Sequence, residues 1–244
     1  MRLRFLPVSL GLLAALGAAA AATNELSDAE IQGRKLAQQL LEQRPATNFI
    51  QTGTLKIRDA KGRRTEVSIQ FQISTTEMNA SGWSGDYQTT ATNTPARLEI
   101  MHTDGQPNRY RLSENGGSKE LEGNQAMIPF AGSDFWLADL GLEFFHWPQQ
   151  KVLKKEVKRS RGCTVLESTN PNPSANSYLR VVSWIDSESG GIVQAWAYDA
   201  NNKLFKEFYP KDFKKINGQW QVKEMDIEND QTGSRTRLEF ELKP

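Results

Sequence analysis

Residues able to act as nucleophiles or proton shuttles are sparse in this chain: one cysteine, Cys163, and two histidines, His102 and His146. A thiol beside an imidazole could form a nucleophilic pair. Neither histidine stands in a recognisable motif, however, and Cys163 sits inside an alternating strand pattern, where a buried apolar role is the ordinary one. A single cysteine excludes an intramolecular disulfide framework and a zinc cage of several thiolates, and two histidines exclude a His-rich metal site. Asp226 and Glu228 fall on one strand face, where paired carboxylates could do acid–base work, though a solvated strand face explains them as readily. No G-x-S-x-G elbow, P-loop, G-x-G-x-x-G or H-E-x-x-H motif occurs. The chain therefore reads as non-enzymatic, with no catalytic residue, metal or cofactor.

Two further groupings could support binding. Lys151, Lys154, Lys155, Lys158, Arg159 and Arg161, with Glu156 among them, form the densest basic run. It could dock an acidic partner or anionic headgroups, and it would equally protect a strand edge from aggregation. The six tryptophans, Trp83, Trp136, Trp147, Trp184, Trp196 and Trp220, supply much apolar area for a sheet with few helices to cover it. A sheet short of covering helix tends to enclose a cavity, which points to an apolar ligand site.

The surrounding elements follow from composition and periodicity. The chain has 244 residues, 38% hydrophobic and 24% charged, with a net charge of +1. Mean hydropathy is −0.59. These values fit one medium soluble domain or at most two small ones and exclude a multi-pass membrane protein, and the balanced charge argues against nucleic acid as partner. Arg2 and Arg4, the apolar run 5–16 and small residues up to Ala22 read as a cleaved secretory signal over residues 1–22. Its loss removes two arginines and no acid, so the charge falls from +1 to −1. No cysteine adjoins the cleavage point, so the mature chain, residues 23–244, is expected to be secreted without a lipid anchor.

Residues 26–43 form an amphipathic helix in this reading, with a capping box at Ser27 and Glu30 and a stop at Pro45. From Phe49 the hydrophobic period changes to two. Strands are expected at 48–58, 65–75, 82–91, 96–103, 108–113, 150–159, 163–169, 178–186, 192–200, 203–209 and 219–242, the last broken at a turn. The turn sequences between them favour a meandering antiparallel sheet. Residues 127–147, the most apolar stretch of the mature chain, break the pattern. Ser133 or Asp134 can cap a short helix there, which would cover a sheet face rather than extend it.

Several ordered motifs resemble outer-membrane lipoprotein-sorting proteins, relatives of the periplasmic Lol carrier. They are Gly132-Ser133-Asp134-Phe135, Asp139-Leu140, Lys151-Val152-Leu153, Tyr178 with residues 181–186, Tyr198-Asp199, Lys206, Gly218-Gln219-Trp220 and residues 232–238. The likeness spans about residues 65–244. It implies a LolA-like half-barrel: a mostly β, incomplete antiparallel β-barrel with an N-terminal helix across it and a short helical lid on its concave face. Members of the family carry acyl chains of lipoproteins or other lipids through the periplasm in a hydrophobic cavity. The residues by which an ABC-type exporter recognises the Lol carrier are not found here, and some related carriers accompany RND-type lipid exporters. Asp134 and Arg237 stand at motif positions, with lid capping and strand pairing as their simplest roles.

The expectation is thus a periplasmic, non-enzymatic carrier of an acylated lipid or lipoprotein bound for the outer membrane. Its partners would be an inner-membrane exporter of ABC or RND type and an outer-membrane acceptor, with no nucleic acid. Ile69, Phe71, Ile73, Trp184, Trp196, Leu238 and Phe240 are the expected cavity wall, and Phe130, Phe135, Trp136, Leu140, Phe144 and Phe145 the lid. A one-residue register error would move each wall residue to the other face. The competing reading is a periplasmic protein-interaction or sensor module of the same fold with a filled core.

Overall fold

The structure is a computed structural model that describes residues 26–75, 82–90, 95–216 and 219–242. The expected signal segment lies outside the described residues. Helix α1 (Asp28–Leu41) opens the described chain, and its capping box forms as the sequence indicates: the Glu30 carboxylate accepts from the Ser27 amide at 2.8 Å. Thirteen strands follow. They are β1 (Phe49–Arg58), β2 (Arg64–Ser74), β3 (Gly82–Thr89), β4 (Ala96–Thr103), β5 (Arg109–Glu114), β6 (Gly117–Glu122), β7 (Gln149–Lys158), β8 (Arg161–Thr169), β9 (Arg180–Asp186), β10 (Ile192–Tyr198), β11 (Leu204–Ile216), β12 (Gln219–Asn229) and β13 (Arg235–Phe240).

All thirteen join one antiparallel sheet in the order β6-β5-β4-β3-β2-β1-β13-β12-β11-β10-β9-β8-β7. The sheet is open, and its edges β6 and β7 do not pair. These edge strands are nevertheless consecutive in the chain, so the connection over residues 123–148 must run from one edge to the other. It does so over one sheet face, as a 3-10 turn (Gly123–Ala126), a short helix α2 (Leu137–Leu140) and a second 3-10 turn (Glu143–His146). Topology alone therefore puts the most apolar stretch of the described residues across the mouth of the half-barrel.

Strand β6 is absent from the sequence reading, because Gly-Ser-Lys-Glu-Leu-Glu carries little apolar alternation. Its signal is the turn: Asn115 and Gly116 have φ of 52° and 76°, the two left-handed residues of a tight hairpin.

Helix α1 packs against β7 and the second 3-10 turn. The seating is close, since a Cβ on Gly33 would stand 2.5 Å from the Lys151 amide nitrogen. Beyond the helix, Arg44 pairs with Asp104 in the β4–β5 turn, so the segment spans from the β7 edge to the other half of the sheet. The main core lies between the sheet and the crossing segment, where Leu55, Ile69, Leu98, Ile100, Leu166, Ile185, Ile227 and Leu238 meet Phe130, Phe135 and Leu137.

Candidate functional site

The crossing segment folds into a lid through its own backbone. Phe130 donates to the Phe135 carbonyl at 2.8 Å and Leu137 to the Ile128 carbonyl at 3.0 Å, which closes a miniature hairpin over residues 128–137. Its turn needs positive φ at Ala131 (51°) and Gly132 (71°), and glycine meets that demand at the second position. The hairpin drives Phe130 and Phe135 into the core, while α2 and the second 3-10 turn do the same for Leu137, Phe144 and Phe145. The Phe130 ring meets Tyr87 at 6.2 Å, and Phe135 meets Phe208 at 6.2 Å. Opposite them Phe71 stacks on Tyr87 at 4.4 Å and approaches Phe240 at 5.9 Å.

Polar contacts fix the lid to the sheet, and they converge on residues that the sequence motifs contain. The Lys206 ammonium, buried on β11, donates to the Asp134 carbonyl at 2.7 Å and to the Asp139 carboxylate at 3.3 Å. It also sits 3.7 Å above the Trp136 ring, which stacks on Tyr178 at 4.6 Å. The Tyr178 hydroxyl donates to Asp139 at 2.8 Å, and Asp139 also receives the Trp136 amide. At the other end of the lid hairpin, Ser234 and Thr236 donate to the Asp134 carboxylate at 2.5 and 2.8 Å, and Thr236 accepts from the Asp134 amide at 2.9 Å. Burial pulls Lys206 down to about 8, against the attraction of Asp139. Burial together with Asp139 pushes the Tyr178 hydroxyl well above its usual range.

Asp139, Tyr178, Lys206 and Thr236 stand at motif positions to which the sequence alone assigns no role. The available signal was two aspartates inside the strongly apolar stretch 127–147, since buried charges require partners. Neither Ser133 nor Asp134 caps α2, whose N-cap is Trp136 with Asp139 accepting its amide; Asp134 instead joins the lid to β13.

Beside this latch lies a cavity of about 20 Å³, lined by Asp139, Lys206 and Tyr178 on its polar side and by Val181, Phe208 and Ile227 among its apolar neighbours. A void of that size holds about one water molecule. Around it the lid's Phe130, Phe135, Leu137, Phe144 and Phe145 pack into the core with the sheet.

A second polar group anchors the far end of the lid. The Tyr110 hydroxyl on β5 donates to Glu143 at 2.8 Å, and the Asn108 amide donates to the Gly141 carbonyl at 2.7 Å. Burial raises Glu143 to about 7, although Tyr110 and Asn108 favour its charged form. Burial also lowers His102, stacked on Trp83 at 3.8 Å, and His146 to about 4 each. On β7, Gln150 donates to the Phe144 and Trp147 carbonyls at 2.9 and 2.8 Å.

The register separates the expected wall residues into two faces. Ile69, Phe71, Leu238 and Phe240 lie with the lid residues in or against the main core, and Ile73 is buried on the same face of β2. Trp184 and Trp196 do not join them. Val165 pairs with Trp184, and Trp196 with Val182, which puts all four on the outer face with Cys163 in a separate cluster. The alternating positions Val181, Ile185, Ala195 and Ala197 face inward instead. Both faces of these strands carry apolar residues, so alternation alone could not choose between them.

The basic hairpin tip folds over this outer cluster. Lys158 stands 4.5 and 4.7 Å from the Trp184 and Trp196 rings, Arg159 is 4.1 Å from Tyr209, and Glu156 accepts from the Trp184 indole. Cys163 is buried here, with burial pushing its thiol up, and its sulfur faces the Arg161 carbonyl rather than an imidazole. Asp226 is buried too. Burial alone would raise it, but hydrogen bonds from Arg237 and Arg235 hold it below the usual carboxylate range. Arg237 thereby performs the strand pairing expected of it. Among the described residues no group of three or more His, Cys, Asp or Glu could hold a metal ion.

A family model described as "uncharacterized protein" matches residues 114–242, more than half of the chain. The chain belongs to that family. The matched region starts at the end of β5 and contains the lid, its latch and every strand from β6 to β13. Among solved structures, the chain is similar to an outer membrane lipoprotein-sorting protein domain from Vibrio parahaemolyticus, with a TM-score of 0.72 at 20% identity over 87% of this chain and 92% of that one. A DUF1329 family protein from Desulfovibrio piger gives a TM-score of 0.72 at 17% identity over 88% and 92% of the two chains. A LolA superfamily protein from Nitrosomonas europaea gives 0.60 at 14% over 88% and 93%. No curated protein matches. The fold is that of the outer-membrane lipoprotein-sorting, LolA-type domains, in agreement with the sequence motifs.

Proposed function

We propose that the chain is a periplasmic carrier that binds the acyl chains of a lipid or lipoprotein between the concave sheet face and a lid that opens. The observation that carries this reading is a lid closed by aromatic side chains over an open half-barrel and fastened by a few separable polar contacts. The energies support reversible loading. Burying a fourteen-carbon chain yields about 11 kcal/mol at about 0.8 kcal/mol per methylene. Uncovering Phe130, Phe135, Phe144 and Phe145 costs about 6–12 kcal/mol at about 1.5–3 kcal/mol each. These terms nearly cancel, so cargo can enter and leave. An inner-membrane exporter of ABC or RND type and an outer-membrane acceptor would be the donor and recipient.

The small cavity also favours a second reading, an interaction or sensor module whose core stays filled. Native mass spectrometry of the chain purified gently from a periplasm separates the two. A carrier retains an acylated species near one to one, or takes one up when lipids and acylated peptides are offered. A mass that stays that of the bare chain under both conditions supports the module and overturns the carrier.

A further inference from the structure

The latch has a consistent polarity. Its sheet side supplies donors: the Lys206 ammonium on β11, the Tyr178 hydroxyl held by the Leu179 amide bond to the Tyr198 carbonyl on β10, and the Ser234 and Thr236 hydroxyls at β13. Its lid side supplies oxygen acceptors: the Asp134 carbonyl and carboxylate and the Asp139 carboxylate. The one reversed bond runs from the Asp134 amide to Thr236. Both polar partners of Lys206 therefore belong to the lid, and so does the Trp136 face beneath it. When the lid lifts, all three leave together. A cation remains on the floor of an apolar groove without a counter-charge, an arrangement strongly disfavoured unless another anion replaces the lost one.

We infer, on the basis of the carrier reading, that Lys206 with Tyr178 forms the head-group site of the groove, and that the ligand is an amphiphile whose head carries an oxyanion, a carboxylate or a phosphate. In the closed state the Asp139 carboxylate occupies the position this head takes in the loaded state. The apolar wall next to Lys206, formed by Val181, Phe208 and Ile227, then receives the first methylenes of the chain. The lid is thus both a cover and a competitor for the ligand, and an anionic head offsets the cost of opening that an uncharged head does not.

The test is the affinity of the purified chain for decanoate, decyl phosphate and 1-decanol, each below its aggregation concentration, read by native mass spectrometry and tryptophan fluorescence. In the wild type at least one of the two anions should bind about tenfold or more tightly than decanol, the scale of one hydrogen bond to a charged group. Which anion leads distinguishes the carboxylate from the phosphate source. Asp139→Asn keeps the cation but weakens its competitor, so the preference for anions should widen several-fold. Lys206→Met combined with Asp139→Asn, which leaves no unpaired buried charge at these two positions, should bring the ratio to about one while decanol binding persists. Equal binding of anions and decanol by the wild type would overturn the head-group site and leave the carrier standing. Failure of all three probes to bind would overturn the carrier and the head-group site together.

Discussion

Replacing Thr236 by valine isolates the lid from the sheet with almost no change in shape. The Thr236 hydroxyl is fully buried, donates to the Asp134 carboxylate at 2.8 Å and accepts from the Asp134 amide at 2.9 Å. A hydrogen bond to a charged group contributes about 1.5–3 kcal/mol, and an orphaned amide adds about 1 kcal/mol more. The sum is about 2–4 kcal/mol, and the lower end applies because Asp134 is only half-buried and keeps Ser234 as a partner. A loss of about 2 kcal/mol raises the open-lid population about 30-fold. Native-state hydrogen exchange should show it directly. The Phe130 and Leu137 amides, which close the lid hairpin, should exchange about 30-fold faster in Thr236→Val, while amides of the central β1–β2 pair keep their rates. Equal acceleration of lid and sheet would mean that the lid does not open on its own. Unchanged lid exchange would mean that the Asp134 contacts do not fasten it.

Other perturbations test the remaining parts of the structure. Glu143 is held at about 7, above its ordinary 4.5, so the stability gained from burying its protonated form is full below about pH 4.5 and is lost as pH rises through 7. Glu143→Gln should therefore match the wild type at pH 4 and exceed it by about 3 kcal/mol at pH 8, at about 1.4 kcal/mol per pKa unit over the shift from 4.5 to about 7. Thermal unfolding of both proteins at pH 4, 6 and 8 measures this, and a constant difference across the range would refute it. Gly33→Ala should lower the urea midpoint by about 1–3 kcal/mol equivalent, because its Cβ meets β7 backbone and lifting α1 outweighs the roughly 1 kcal/mol gained in helix propensity. A more stable Gly33→Ala would show that α1 is loosely seated. Trp184→Phe should cost about 1 kcal/mol through its lost bond to Glu156 and leave amphiphile uptake unchanged, and reduced uptake would return Trp184 to the inner face.

Most of the fold was legible because its strands alternate and its turns are punctuated. The Val67, Ile69, Phe71, Ile73 series, the Ser27–Glu30 box and the break at Gly233 each emerged as read. Strand β6 was not legible from its side chains, since an exposed edge strand needs no apolar face. The lid was legible as an apolar interruption, but its reach was not. Only the strand order shows that β6 and β7 stand at opposite edges, which forces residues 123–148 to cross the mouth. The outward position of Trp184 and Trp196 was hidden because β9 is apolar on both sides, with Val182 and Trp184 in the outer cluster and Val181 and Ile185 in the main core. The latch was hidden because its partners come from four separate segments, around Asp134, Tyr178, Lys206 and Thr236, which no spacing rule connects.

The most direct test of the carrier locks the lid. Asp134 and Thr236 touch, so cysteines at both positions, with Cys163→Ser removing the native thiol, allow a disulfide between lid and β13 to be closed and reopened. Uptake of a fluorescent acyl-chain probe is then measured on the same preparation oxidised and reduced. An opening lid requires uptake in the reduced form, its loss on oxidation and its return on re-reduction. Equal uptake by the locked and unlocked forms would place the ligand elsewhere than beneath the lid, and no uptake by either would contradict the carrier.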